Sequence, residues 1–110
     1  LKDLKESTKQ RFCALEFDYP AAEIETAIIA SEAGIAETSA ALLVRIGQKS
    51  RNLRGQGLNE GASSRMLIHA GRLMAQGLPL SMACRLALIT PITDDPDMRS
   101  ALEAAVDACA

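Results

Sequence analysis

The sequence predicts an all-α fold, a small helical bundle preceded by one short β-strand, and three observations carry that expectation. Hydrophobic residues make up 48% of the 110 residues but aromatic residues only 3%. The apolar content is therefore mostly Ala, Leu, Ile and Met, which favours packed helices over a β-sandwich. Proline, glycine, serine and aspartate punctuate the chain at helix-length intervals, and a single six-residue run, FCALEF, has the alternation of a strand. A chain of this length forms one domain around one modest core.

The elements follow in order. The polar start LKDLKESTKQR has a weak helical spacing. In FCALEF, residues 12 to 17, Phe12, Ala14 and Glu16 alternate with Cys13, Leu15 and Phe17, and Asp18-Tyr19-Pro20 ends the run. A lone strand leaves its backbone unpaired, so this edge is expected to pair with a segment outside the chain or with a second copy. A first helix opens at Pro20 with Asp18 as its cap, carries Ala22, Ile24, Ala27, Ile28 and Ala30, and ends at Gly34. A second runs from Glu37 to Leu53 with Leu42, Leu43 and Ile46 toward the core. RGQGLNEGAS is too rich in glycine for a helix and reads as a loop, with Gly55, Gly57 and Gly61 serving turns. Ser63 or Ser64 caps a third helix, whose stripe is Leu67, Ala70, Gly71 and Met74 and whose end is Gly77. A fourth starts near Pro79 with Met82, Ala83, Leu86 and Ile89; TPITDDP is a turn; and Asp95-Pro96 opens a last helix with Met98, Leu102, Ala105 and Val106.

Charge is unevenly distributed. Between Phe12 and Val44 lie Glu16, Asp18, Glu23, Glu25, Glu32 and Glu37 with no Lys or Arg. From Arg45 to Arg72 the bases Arg45, Lys49, Arg51, Arg54, Arg65 and Arg72 face Glu60 alone. The net charge of −2 and the scarcity of aromatic residues argue against nucleic-acid binding, while the basic block suggests an anion site or a charged contact. Cys13, Cys84 and Cys109 are odd in number and far apart, which suits a reducing cytosol and suggests neither disulfides nor zinc. No run approaches the ~20 apolar residues of a membrane span, and the start has no signal-peptide apolar region. Because residue 1 is Leu, the chain is expected to begin inside a longer protein.

Within the basic block Arg65 stands out, in the first turn of a helix behind a glycine loop. Free N–H groups at helix starts attract phosphate, and an arginine there adds a bidentate donor. The plainer alternative is an arginine salt-bridged to Glu60. Ser64 at the same helix start and Arg54 in the loop are further candidates for a nucleotide edge. Arg51, which flanks the same loop, can also line the adenine or phosphate edge, but a plain solvated face is the preferred reading of both Arg51 and Arg54. His69 has no partner at ligand spacing and reads as a half-buried histidine. Asp95 and Asp97 read as a cap and a first-turn charge rather than as metal ligands beside Asp94, so no metal site is expected. Met66, Met74, Met82 and Met98 read as core.

Three stretches, KQRFCALEFDYP at 9 to 20, RNLRGQGLNEGASSRMLIHAGRL at 51 to 73 and CRLALITPITDDPDMRSAL at 84 to 102, resemble the CbbQ/NirQ/NorQ family of MoxR-type AAA+ ATPases in order and spacing. TPITDDPDMR is the most specific of them; the GAS-x-R element is shared more widely. The resemblance implies that residues 1–19 end the α/β ATPase core and residues 20–110 form the helical lid. No GxxxxGK[ST] occurs, so the phosphate loop and the Mg²⁺ ligands are expected upstream, and the chain alone is expected to be inactive toward ATP.

The resemblance also implies residue roles and partners. Arg11, by itself a solvated arginine beside a strand, falls where the family has an arginine finger acting in trans on the next subunit's nucleotide. Arg65 falls at the sensor-2 arginine. The implied parent is a cytoplasmic prokaryotic ATP hydrolase, a hexameric ring working with a von Willebrand factor A-domain partner (the CbbO or NorD type). Its implied client is Rubisco, which is preferred here, or nitric oxide or nitrite reductase. Read without the resemblance, the chain is a free-standing helical interaction module binding an acidic partner through residues 45–72, or a small nucleic-acid binder.

Overall fold

The computed structural model describes residues 19–53 and 61–109. The expected strand at 12 to 17, its pairing with a second copy, and Arg11, Asp18, Arg54 and Glu60 lie outside these residues. The described residues contain helices and no strand.

Five helical segments build the unit: α1 (Ala22–Ala33), α2 (Glu37–Asn52), α3 (Ser64–Ala75), α4 and α5 (Pro96–Cys109). Helix α4 is a continuous rod in three parts, Leu80–Cys84, a π-helical turn Arg85–Ile89, and Thr90–Ile92. Helix α1 packs on α2 and α3, α3 also packs on α4, and α5 closes the far side against α2 and α4. Ile29, Leu43, Val44, Ile46, Leu67, Leu88, Leu102 and Val106 lie in one continuous core. Full burial of each such aliphatic side chain contributes about 1.5–3 kcal/mol.

Two glycines let the first three helices close up. A Cβ on Gly71 would stand 2.7 Å from Ala33 Cβ, and one on Gly47 would stand 2.8 Å from Leu67 Cδ1. Two others end helices as expected: Gly34 has φ 74° and Gly77 φ 106°, conformations that L side chains rarely adopt.

Several expectations need correction. Helix α1 starts at Ala22, with extended Ala21 in the cap position and no side-chain cap, so Pro20 precedes its first turn. The chain stays extended there, where Tyr19 reaches Arg51. The buried positions of α1 are Glu25, Ile29 and Ala33, whereas Ile24 and Ile28 are 58% and 40% exposed. Met82 is not core but 46% exposed, and Leu86 is exposed beside it; Ala83, Cys84, Ala87 and Leu88 face inward. His69 is exposed, because Leu67, Ala70 and Gly71 turn the opposite side of α3 to the core.

The TPITDDP stretch is a turn only from Thr93; Thr90, Pro91 and Ile92 continue α4. A proline inside a helix lacks the N–H for its carbonyl four residues back and crowds that carbonyl. The wider turn just upstream, in which the Thr90 N–H reaches Arg85 O, relaxes that crowding and lets the rod run past Pro91. Beyond the turn, Asp95 Oδ1 accepts from the Asp97 N–H at 3.1 Å and Pro96 opens α5, as expected. Arg99 Nε donates to Thr93 O at 3.0 Å and ties the turn to α5.

Candidate functional site

The polar centre of the unit lies where the end of α2, the exit of the glycine loop and the start of α3 meet α1. Glu25 is fully buried on the inner stripe of α1. Its carboxylate accepts from Arg51 Nη1 at 2.9 Å and from Arg51 Nη2 at 2.7 Å, a bidentate fork, and from the Ser64 hydroxyl at 2.7 Å. Arg51 Nε donates to Ala62 O at 2.9 Å, and the guanidinium lies 3.6 Å from the centroid of the Tyr19 ring. Both edges and one face of the guanidinium are thus occupied, a use that lysine cannot reproduce. Burial pushes the Glu25 carboxyl up, but the Arg51 and Ser64 hydrogen bonds and the Arg51 charge outweigh it and hold the group below its ordinary value.

The loop exit is fixed by further contacts. Ser50 Oγ donates to Gly47 O at 2.7 Å and accepts from the Ala62 N–H at 2.9 Å. A Cβ on Gly61 would lie 2.6 Å from Arg51 Cα, so close approach requires glycine there. Ser63 is the cap of α3, its hydroxyl accepting from the Met66 N–H at 3.2 Å.

The expected site residues are placed as follows. Arg65 is exposed in the first turn of α3 and makes no hydrogen bond or ion pair with another described residue. The first turn of α3 holds no acid, and a cation next to free helix N–H groups is disfavoured by about 0.3–1 kcal/mol in isolation. An anion brought to this turn would meet both the N–H groups and the guanidinium. Ser64 lies beside Arg65 but directs its hydroxyl inward to Glu25. Arg51 is neither solvated nor open to a ligand, with its side chain only 9% exposed. The basic block therefore loses one of its cations to the interior.

Glu25 and Tyr19 belong to the site without being among the residues expected from the sequence. A signal for Glu25 was present: it precedes Ile29 by four residues and Ala33 by eight, so all three share one helix stripe. A carboxylate on such a stripe requires a partner, and no Lys or Arg occurs between Phe12 and Val44 to provide one nearby.

The described part of the chain is thus a helical module with an exposed arginine at a helix start, set over a buried ionic base. The sequence pattern of the family described as CbbQ/NirQ/NorQ C-terminal matches residues 25–109. The chain is 54% identical over 105 residues to "Protein CbbQ" of Hydrogenophilus thermoluteolus, covering 96% of this chain and 39% of that protein. It is 51% identical over 107 residues to "Denitrification regulatory protein NirQ" of Pseudomonas aeruginosa, covering 97% and 41%. Against "Protein NorQ" of Paracoccus denitrificans the identity is 43% over 102 residues, covering 93% and 38%. The chain belongs to the CbbQ/NirQ/NorQ family and corresponds to its C-terminal region, spanning about two fifths of the length of these relatives. No helix among the described residues is long and apolar enough to cross a membrane.

Proposed function

We propose that this chain is the helical lid and subunit-interface part of a MoxR-type AAA+ ATPase that remodels or activates a metabolic enzyme. Residues 20–110 form the lid and residues 1–19 the end of the ATPase core. The observation that carries the reading is Arg65, exposed at the N-terminus of α3 in a chain of this family. In this reading Arg65 is the sensor-2 arginine, which contacts the γ-phosphate of ATP and couples its loss to lid movement. Arg54 adds positive charge ahead of α3 in the sequence, and Ser64 anchors the first turn of α3 from its inner side. Arg11 is the arginine finger that reaches the nucleotide of the neighbouring subunit in a hexameric ring. ATP and Mg²⁺ are held by the remaining part of the longer protein.

The partner is a von Willebrand factor A-domain protein, and the client is Rubisco or a nitric oxide or nitrite reductase. Membership of the CbbQ/NirQ/NorQ family supports this range of clients, and Rubisco is the one preferred. The alternative, an interaction module binding an acidic partner through residues 45–72, is weakened by the internal use of Arg51.

Subunit mixing in the longer ATPase tests the two arginine roles. Arg11→Ala and Arg65→Ala are each expected to lower ATP turnover by roughly 10³-fold or more, the scale of a lost finger. Arg11→Ala subunits mixed with subunits dead in the phosphate loop should regain turnover at interfaces where intact partners meet. Turnover by Arg65→Ala rings within about twofold of wild type, or roughly 0.4 kcal/mol, removes the sensor role.

A further inference from the structure

Tyr19, Glu25, Arg51 and Ser64 form a connected group, of which the proposed function uses Ser64 alone. The group runs from the chain just ahead of α1 to the residue directly before Arg65. The Tyr19 ring stacks on the Arg51 guanidinium, whose Nη atoms grip Glu25, whose Oε2 in turn accepts from Ser64 Oγ. Arg51 Nε holds the loop exit at Ala62 O. Gly61 packs directly on Arg51, where an added Cβ would lie 2.6 Å from Arg51 Cα.

Stability alone is a poor reason for such a group. A buried ion pair contributes little net stability compared with well-packed apolar residues of the same volume. What a bidentate fork with an occupied face does provide is fixed orientation. The element that it orients is the first turn of α3. That turn is held on its inner side by Ser64, while Arg65, one residue on, is exposed.

We propose that the Tyr19–Arg51–Glu25–Ser64 brace is the positioning element for Arg65, setting the aim of its guanidinium relative to the chain that enters α1 at residue 19. This rests on the reading of Arg65 as a phosphate-sensing residue. The four residues touch no ligand; they act through Arg65. A lid that turned relative to residues 1–18 would carry Arg65 with it rigidly, because Tyr19 and the first turn of α3 are joined through the Arg51–Glu25 pair.

The test is a set of double-mutant cycles in the longer ATP-binding protein, reading the affinity for a slowly hydrolysed ATP analogue with Mg²⁺. Ser64→Ala and Tyr19→Leu should each weaken the analogue roughly three- to tenfold, and Arg51→Lys, which keeps the charge but loses the fork, should weaken it at least as much. Tyr19→Phe, which keeps the stacking face, should bind as wild type. In an Arg65→Ala background the Ser64→Ala and Tyr19→Leu losses should vanish. Losses of equal size with and without Arg65, or variants that lower only the melting temperature, overturn the brace. Arg65→Ala without any effect on affinity would instead overturn the sensing role, and the brace with it, so the two failures are distinguishable.

Discussion

Two arginines of the same basic block each meet a glutamate of α1, with opposite physical consequences. Arg51 and Glu25 pair at 2.7 Å with side chains 9% and 1% exposed, whereas Arg72 and Glu32 stand 3.8 Å apart with both side chains 58% exposed. Water screens the second pair, and holding two long side chains together costs entropy, so it contributes little. The first pair is withdrawn from water, so loss of either partner leaves the other charge buried without its counter-charge. Sequence position does not distinguish them. Burial does, since Glu25 is enclosed together with Ile29 and Ala33, while Glu32 is exposed.

The contrast is sharpest in stability. Arg51→Ala leaves Glu25 buried without its counter-charge and should destabilise the chain by about 3–5 kcal/mol, a large share of an ordinary domain's ~5–15 kcal/mol. Urea unfolding of the purified chain reads this directly, and a loss under about 1 kcal/mol would show that the pair is solvated.

Acid should expose the same difference more gently. Glu25 is held below its ordinary value of 4.5 in the folded chain, and the unfolded chain regains that value. Its contribution to stability is therefore complete above about pH 4.5 and is lost as pH falls through the folded value. Glu25→Gln should remove that part of the acid-induced loss, so its stability should fall less steeply below this pH than that of wild type. Parallel acid limbs for the two chains would contradict the assignment.

Arg72→Ala should shift stability by no more than about 0.5 kcal/mol, and even that shift should shrink at 1 M salt. A salt-insensitive loss above about 1 kcal/mol would mean that the Arg72–Glu32 pair resembles the buried one after all.

Much of this was legible in the sequence where backbone rules dominate. Gly34 and Gly77 end their helices, Ser63 and Asp95 cap theirs, and α2 and α3 start within a residue of where caps and apolar spacing put them. What was not legible depends on tertiary contacts. Ile24 and Ile28 attract attention as the large apolar residues of α1, yet the packed face is set by small residues and a glutamate whose partner lies 26 positions away. Met82 and Leu86 were misplaced for a related reason. The π-helical turn at Arg85–Ile89 changes the phase of α4, and Pro91 just beyond it looks in sequence like the end of a helix. At the candidate site, Arg65 and the capped start of α3 could be read ahead of the structure. The anchoring of Ser64 to Glu25 and the closure of Arg51 on Tyr19 could not, because both join segments distant in sequence.

Arg65 and Arg72 offer the most direct test of the central claim, being two exposed arginines on one helix, seven residues and about 10 Å apart along its axis. The measurement is the affinity of the longer ATP-binding protein for the slowly hydrolysed ATP analogue, with Arg65→Ala and Arg72→Ala compared at equal ionic strength. The account predicts that Arg65→Ala weakens binding by roughly tenfold or more, as loss of a charge-assisted phosphate contact should, and that Arg72→Ala leaves it within about twofold. Equal effects from the two substitutions would mean that only the general positive charge of α3 matters, and would contradict a specific phosphate-sensing role for Arg65.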